Sequence, residues 1–126
     1  VSVGGYVDLD AWKVALELVV ETYRVTGTMP SDERFALVQQ MRRAAVSVTS
    51  NIAEGHSRRS RREYLRFVIV ALGSLAELES QLLVATELDL APHEEFSAAR
   101  HLITRTARPL RGLERALACG VHRAST

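Results

Sequence analysis

The residues in this chain best able to do chemistry are arginines, and they are clustered. From Gln40 to Arg66 the chain reads QMRRAAVSVTSNIAEGHSRRSRREYLR, where Arg42, Arg43, Arg58, Arg59, Arg61, Arg62 and Arg66 meet only two acids, Glu54 and Glu63. That span carries a formal charge of +5 inside a chain of net charge +1. Guanidinium forks recognise carboxylates and phosphates, so the chemistry on offer is anion binding. Arg58, Arg59, Arg61 and Arg62 surround a helix start, where the macrodipole is already positive. They do not help that helix, and the free amides of its first turn would suit the same outside anion. A second set, Arg100, Arg108, Arg111 and Arg115, recurs at spacings of eight, three and four on one broad helix face. The candidate nucleic-acid or anion contacts are therefore Arg58, Arg59, Arg61, Arg62, Arg66, Arg108, Arg111 and Arg115. The competing reading has both clusters solvated or paired across subunits. Base stacking needs aromatic platforms; Tyr64 alone stands by the cluster, and Phe67 is expected to pack inside.

Catalytic motifs are not found. The chain has no glycine-rich phosphate loop, no nucleophile elbow and no histidine pair at metal spacing on a helix. His56, His93, His101 and His122 are scattered, and Cys119 is the only cysteine. Glu77 and Glu79 lie two positions apart and point to different helix faces. No catalytic, cofactor or metal-binding residue is assigned, and a non-enzymatic protein is expected. A lone cysteine rules out an intrachain disulfide and fits a reducing cytoplasm. No apolar run approaches the ~20 residues of a membrane helix, and the first residues lack an export signal. A soluble cytoplasmic chain without a membrane partner is expected.

Four apolar-periodic segments position these residues, and none alternates with period two. The spacing predicts helices over 9–26, 31–55, 60–88 and 92–118, in a single domain with flexible ends. The first is capped by Asp8 or Asp10, faces inward through Leu9, Trp12, Leu16, Val19 and Tyr23, and stops at a left-handed Gly27. The second is capped by Ser31, with Asp32 and Glu33 in its first turn, and has the stripe Val38, Met41, Ala45, Val48 and Ile52. The third opens with the capping box Ser60-Arg61-Arg62-Glu63 and turns Leu65, Val68, Leu72, Leu75, Leu82 and Thr86 inward. The fourth follows Pro92 with the stripe Phe96, Ala99, Ile103, Leu110, Leu113 and Leu117. It continues past Pro109 with a kink and frays after Cys119. Short links make successive helices antiparallel, so the fold class is all-α, a left-handed up-down-up-down four-helix bundle.

A polar seam is expected between the middle helices. Arg43, Ser47, Ser50 and Glu54 follow at spacings of four, three and four, with Asn51 one step around, and the register sets Arg43 near Gly73, Ser74 and Glu77. Gly73 costs a helix ~1 kcal/mol relative to alanine, so another backbone is expected close to it. Glu79, read as lying between Leu75 and Leu82 on the inner stripe, is expected to pair with Arg42 or Arg43. The seam is assigned to Arg42, Arg43, Ser47, Asn51, Glu54, Ser74, Glu77 and Glu79.

The runs RRAAVSVTSNIAEG and FVIVALGSLAELESQL resemble the two signature blocks of a small bacterial four-helix-bundle family. Its members include proteins encoded in intervening sequences of 23S ribosomal RNA genes. The likeness extends to Ala11-Trp12 and Pro30-Ser31-Asp32-Glu33-Arg34 and is weak in the fourth helix. It implies a left-handed bundle that assembles as a homopentamer and has no established enzymatic activity. A more distant relative, the basic accessory bundle of diversity-generating retroelements, is pentameric and binds nucleic acid and a reverse transcriptase. The patterned positions are Arg42, Arg43, Ser47, Asn51, Glu54, Gly55, Phe67, Gly73, Ser74, Glu77 and Glu79, none with a catalytic role. Thr49 stands where many members have proline, which implies a straighter second helix. The expected partners are further copies of the chain, with outward Leu37, Val70 and Leu83 partly between them, and either nucleic acid or another protein; no cofactor is expected.

Overall fold

Each of the four apolar periodicities becomes a helix. The computed structural model describes residues 5–125, and the side chains of all of these except 34, 35 and 121–125; the expected flexibility of residues 1–4 lies outside them. A 3-10 turn at Tyr6–Asp8 leads into helix α1 (Asp10–Thr26); a 3-10 turn at Ser31–Glu33 and a π turn at Arg34–Val38 connect it to α2 (Gln39–His56), a short bend leads to α3 (Arg61–Glu87), and a 3-10 turn at His93–Phe96 precedes α4 (Ser97–Ser125). No strand occurs among the described residues. α2 packs most broadly on α3, α3 on α4, and α1 on both α2 and α4. The chain is all-α, and short links with this order of neighbours are what an up-down-up-down bundle requires.

α2 and α4 place their stripes inward as the periodicity dictates. Val38, Met41, Ala45, Val48 and Ile52 are buried, as are Phe96, Ala99, Ile103, Leu110 and Leu117. Leu113 packs against that core from its edge. α4 continues through Pro109 and remains helical to Ser125, so the fraying expected after Cys119 is not seen.

α1 and α3 depart from expectation, for one reason: both are apolar on two faces. In α1 the core strip is Ala11, Val14, Ala15, Leu18, Thr22 and Val25. The larger Leu16 and Tyr23, expected inside, are 43% and 45% exposed. Small residues inside let helix axes approach closely, and the periodicity alone does not choose between the faces. In α3 the core strip is Val68, Ala71, Leu75, Leu78, Leu82 and Ala85. Glu79 is not on it; the strip steps from Leu75 to Leu78 to Leu82, which turns Glu79 out to solvent. Because α3 is apolar on two faces, it also contains an 18-residue window with the length and apolar composition of a membrane-crossing helix. The reading that no apolar run comes near that length is corrected on this point. Only 28% of that window is buried within the chain.

Helix ends also differ in detail. α1 begins after Leu9, whose side chain makes no cap, and Gly27 at its end is right-handed with φ −65°. The expected single helix from Ser31 is broken by the π turn, where Ala36 has φ −118° and ψ −106°. Ser60 does cap α3, its Oγ accepting from the Glu63 amide at 3.2 Å. Asp89, just past α3, takes the left-handed conformation with φ 52°. There the Leu90 amide reaches back to the Ala85 carbonyl at 3.1 Å, the long return bond typical of helix ends.

The glycine that permits close helix approach is Gly55, not Gly73. A Cβ at Gly55 would lie 2.8 Å from the Phe67 Cβ and 3.3 Å from the Tyr64 carbonyl oxygen, whereas at Gly73 it would meet nothing within 4 Å. Gly55→Ala is expected to destabilise the chain by about 1–3 kcal/mol through overpacking against α3. Gly112→Ala, on α4 with only the Arg115 guanidinium as near as 3.9 Å, is expected to stabilise it by up to about 1 kcal/mol. Urea unfolding of the two variants measures both, and equal effects would contradict the assignment of Gly55 as the contact point.

Candidate functional site

Helices α2 and α3 meet in a small hydroxyl and amide network. Ser47 Oγ and Ser74 Oγ are 2.7 Å apart. The Asn51 amide nitrogen donates to the Ser47 carbonyl at 2.8 Å and to its Oγ at 3.0 Å. These three seam residues come together as their register implies, and α2 runs helically through Thr49.

The charged members of the expected seam do not join them. Arg42 turns the other way, to the C-terminal end of α1. Its Nε donates to Thr26 Oγ1 at 2.9 Å, a terminal nitrogen donates to the Tyr23 carbonyl at 3.4 Å, and the guanidinium lies 4.5 Å from the Tyr23 ring centroid. A cation against the last carbonyls of a helix is favoured by the macrodipole and by those unsatisfied acceptors. Glu54 pairs along its own helix end with Arg58. Arg43, Glu77 and Glu79 are exposed and form no ion pair among the described residues, so the expected pairing of Glu79 with Arg42 or Arg43 is overturned. Glu79 avoids the cost of a buried charge by facing water.

The arginine junction is built on the Gly55 contact. Close approach of α2 and α3 brings the half-buried Tyr64 and Phe67 against the last turn of α2. Phe67 is not enclosed. The Arg58 and Arg66 guanidinium carbons lie 5.0 and 5.3 Å from its ring centroid, within range of cation–π attraction. The His56 ring meets Tyr64 edge-on at 5.8 Å. Arg59 and Arg62 are exposed without an acid partner among the described residues, and Arg61 lies against Gly120 of α4. That contact brings the C-terminal end of α4 to the start of α3. Arg108, Arg111 and Arg115 are all exposed, but Arg108 lines a separate groove beside α1 with Asp10, Lys13 and Glu17.

Two features had no signal in the sequence. The tertiary arm of the Arg24 cluster is one: Arg24 on α1 binds Glu21 at 2.6 Å, an i,i+3 pair that spacing does offer, and also Glu95, just before α4, at 3.0 Å, which spacing does not. Hydrogen bonds from these carboxylates, Glu21 first, hold its guanidinium charged even more firmly than usual. An open groove of about 580 Å³ runs along the outer side of α2, lined by Val38, Arg42, Arg43, Val46 and Ser50 among others, and reaches α1 at Tyr23. Each depends on which helix faces are neighbours, information that periodicity does not contain. No group of three or more metal-binding side chains occurs among the described residues.

A family model for 23S rRNA-intervening sequence proteins matches residues 7–112. A crystal structure of a protein of unknown function from the S23 ribosomal protein family of Bacteroides thetaiotaomicron superposes with a TM-score of 0.76. It is 19% identical, with 82% of this chain and 97% of that one covered. No curated protein matches the chain.

The Tyr64 hydroxyl is buried and has no hydrogen-bond partner among the described residues. Burial pushes its pKa above the usual value of about 10. The neutral phenol is favoured in the folded state, so this contribution is present below the unfolded pKa and is lost as pH rises through the folded one. Tyr64→Phe is expected to match or exceed wild-type stability at pH 7 and to flatten the decline above about pH 10. Parallel declines in urea midpoint against pH would contradict this placement of the hydroxyl.

Proposed function

The chain belongs to the 23S rRNA-intervening sequence protein family, and from that premise we propose that it is a non-enzymatic homo-oligomeric scaffold or binding module. The observation that carries this reading is apolar surface that one bundle does not use. Leu16, Val20 and Tyr23 on α1, and Ile69, Val70, Leu83, Val84 and Leu88 around α3, are all between 43% and 64% exposed. Apolar faces on this scale mark interaction surfaces. Of the three residues expected between subunits, Val70 and Leu83 are exposed, as such a role would require, while Leu37 packs against this chain's own core. The pentamer implied by the resemblance is adopted as the stoichiometry, with cytoplasmic operation and no membrane partner. Light scattering is expected to give a mass of about five times the 13.9 kDa chain; a mass near one chain would end this reading.

A second reading, nucleic-acid binding, is favoured by Arg59, Arg61 and Arg62. They have no acid partner among the described residues, and they stand at the bundle end that also receives the last turns of α4. A ring of copies would repeat this basic surface and add avidity. Replacing Arg58, Arg59, Arg61 and Arg62 with glutamine should flatten the plot of log affinity for RNA against log salt by about 0.7 for each phosphate that is no longer neutralised. Identical slopes would return these arginines to the solvated surface.

A further inference from the structure

The two outward apolar faces lie at opposite corners of the bundle, because α1 and α3 each pack on both α2 and α4. A two-fold contact through either face would cover one of them and leave the other in water. A head-to-tail contact instead buries the α3 face of every copy against a different face of the next, and it closes a ring when the rotation allows; Tyr23 lies within reach of such a contact along α2, whereas Leu16 and Val20 line a separate groove beside α4. Charge agrees with this pairing. Between Phe67 and Val84 the only charged residues on α3 are Glu77 and Glu79, both exposed and free of ion pairs among the described residues. The groove along α2 is the complement, with Arg42 and Arg43 beside an apolar lining of Tyr23, Val38 and Val46. Arg42 is occupied at the end of α1, whereas Arg43 is exposed and has no ion pair among the described residues.

Backbone access agrees as well. Val70, Gly73, Glu77, Ser80 and Val84 recur at spacings of three and four, a strip turned away from the core strip of α3. Gly73 occupies the middle of a helix without relieving any contact inside the chain, since a Cβ there would meet only open space. On an outward strip, a missing side chain lets the helix of another molecule approach closely.

We propose that the outward strip of α3 in one copy seats in the α2 groove of the next, with Glu77 meeting Arg43. This rests on the homo-oligomer reading above and adds which faces meet. The full chain is measured by light scattering as wild type, Glu77→Arg, Arg43→Glu and the double variant, with circular dichroism to verify helical content. Each single reversal is expected to weaken assembly at least about 10-fold and lower the mass toward 13.9 kDa, while the double variant regains the wild-type mass. Gly73→Leu, which has room within a single copy, is expected to keep its helical content and lose mass in the same way. A wild type at one-chain mass would defeat the homo-oligomer reading itself, and this contact with it. A wild-type multimer whose mass survives both reversals and Gly73→Leu would leave that reading intact and overturn the α3-to-groove contact.

Discussion

A helix in a four-helix bundle can bury one strip, and the rest of this structure depends on α1 and α3 having more apolar surface than one strip holds. α2 and α4 obey the limit. Their large residues point inward, and their outer faces carry Arg43 and Ser50, or Arg100 and Arg111, in solvent. α1 and α3 do not. Each had to select one of two apolar faces for the core, and the bundle took the closer-packing one, with Ala11 and Ala15 inside on α1 and Ala71 and Ala85 on α3. Leu16, Val20, Leu83 and Val84 were left outside. The unused surface follows from that choice.

The same limit explains which parts of the fold were legible in the sequence. The α2 stripe from Val38 to Ile52 and the Ser60 cap could be read directly, because each has a single physical solution. In α3 the three- and four-residue steps admit two strips, one through Glu79 and one through Leu78, and spacing does not rank them. Desolvation does rank them. A carboxylate with no cation in reach belongs outside; of the two cations assigned to it, Arg42 is held at the end of α1 by Thr26 and Tyr23, and Arg43 is exposed with no ion pair among the described residues. The hold on Arg42 is tertiary and leaves no local pattern. The assignment of the close contact to Gly73 failed similarly. Both Gly55 and Gly73 are helical glycines in the sequence, and only the approach of α2 to Phe67 and Tyr64 separates the one that relieves a clash from the one that faces open space.

The arginine junction was visible from composition, but its internal division was not. Arg58 and Arg66 are held by Glu54 and the Phe67 ring, Arg61 lies along the end of α4, and Arg59 and Arg62 are exposed without an acid partner among the described residues. Exposed ion pairs such as Glu54 with Arg58 add little stability, so the effect of this arrangement is chiefly to restrict which guanidinium groups are available. The Ser47, Ser74 and Asn51 network has the opposite character. It is uncharged and partly buried, and it ties α2 to α3 through neutral hydrogen bonds alone.

The central claim is that folding of one chain leaves apolar surface that only further copies cover. The most direct measurement is the dependence of the melting temperature on protein concentration, since association that stabilises the folded state makes unfolding obey mass action. The account predicts a melting temperature that climbs steadily as concentration is raised over two orders of magnitude. A melting temperature that stays constant across that range would mean the single bundle is stable as it is, with Leu16, Val20, Leu83 and Val84 in water, and would contradict the account.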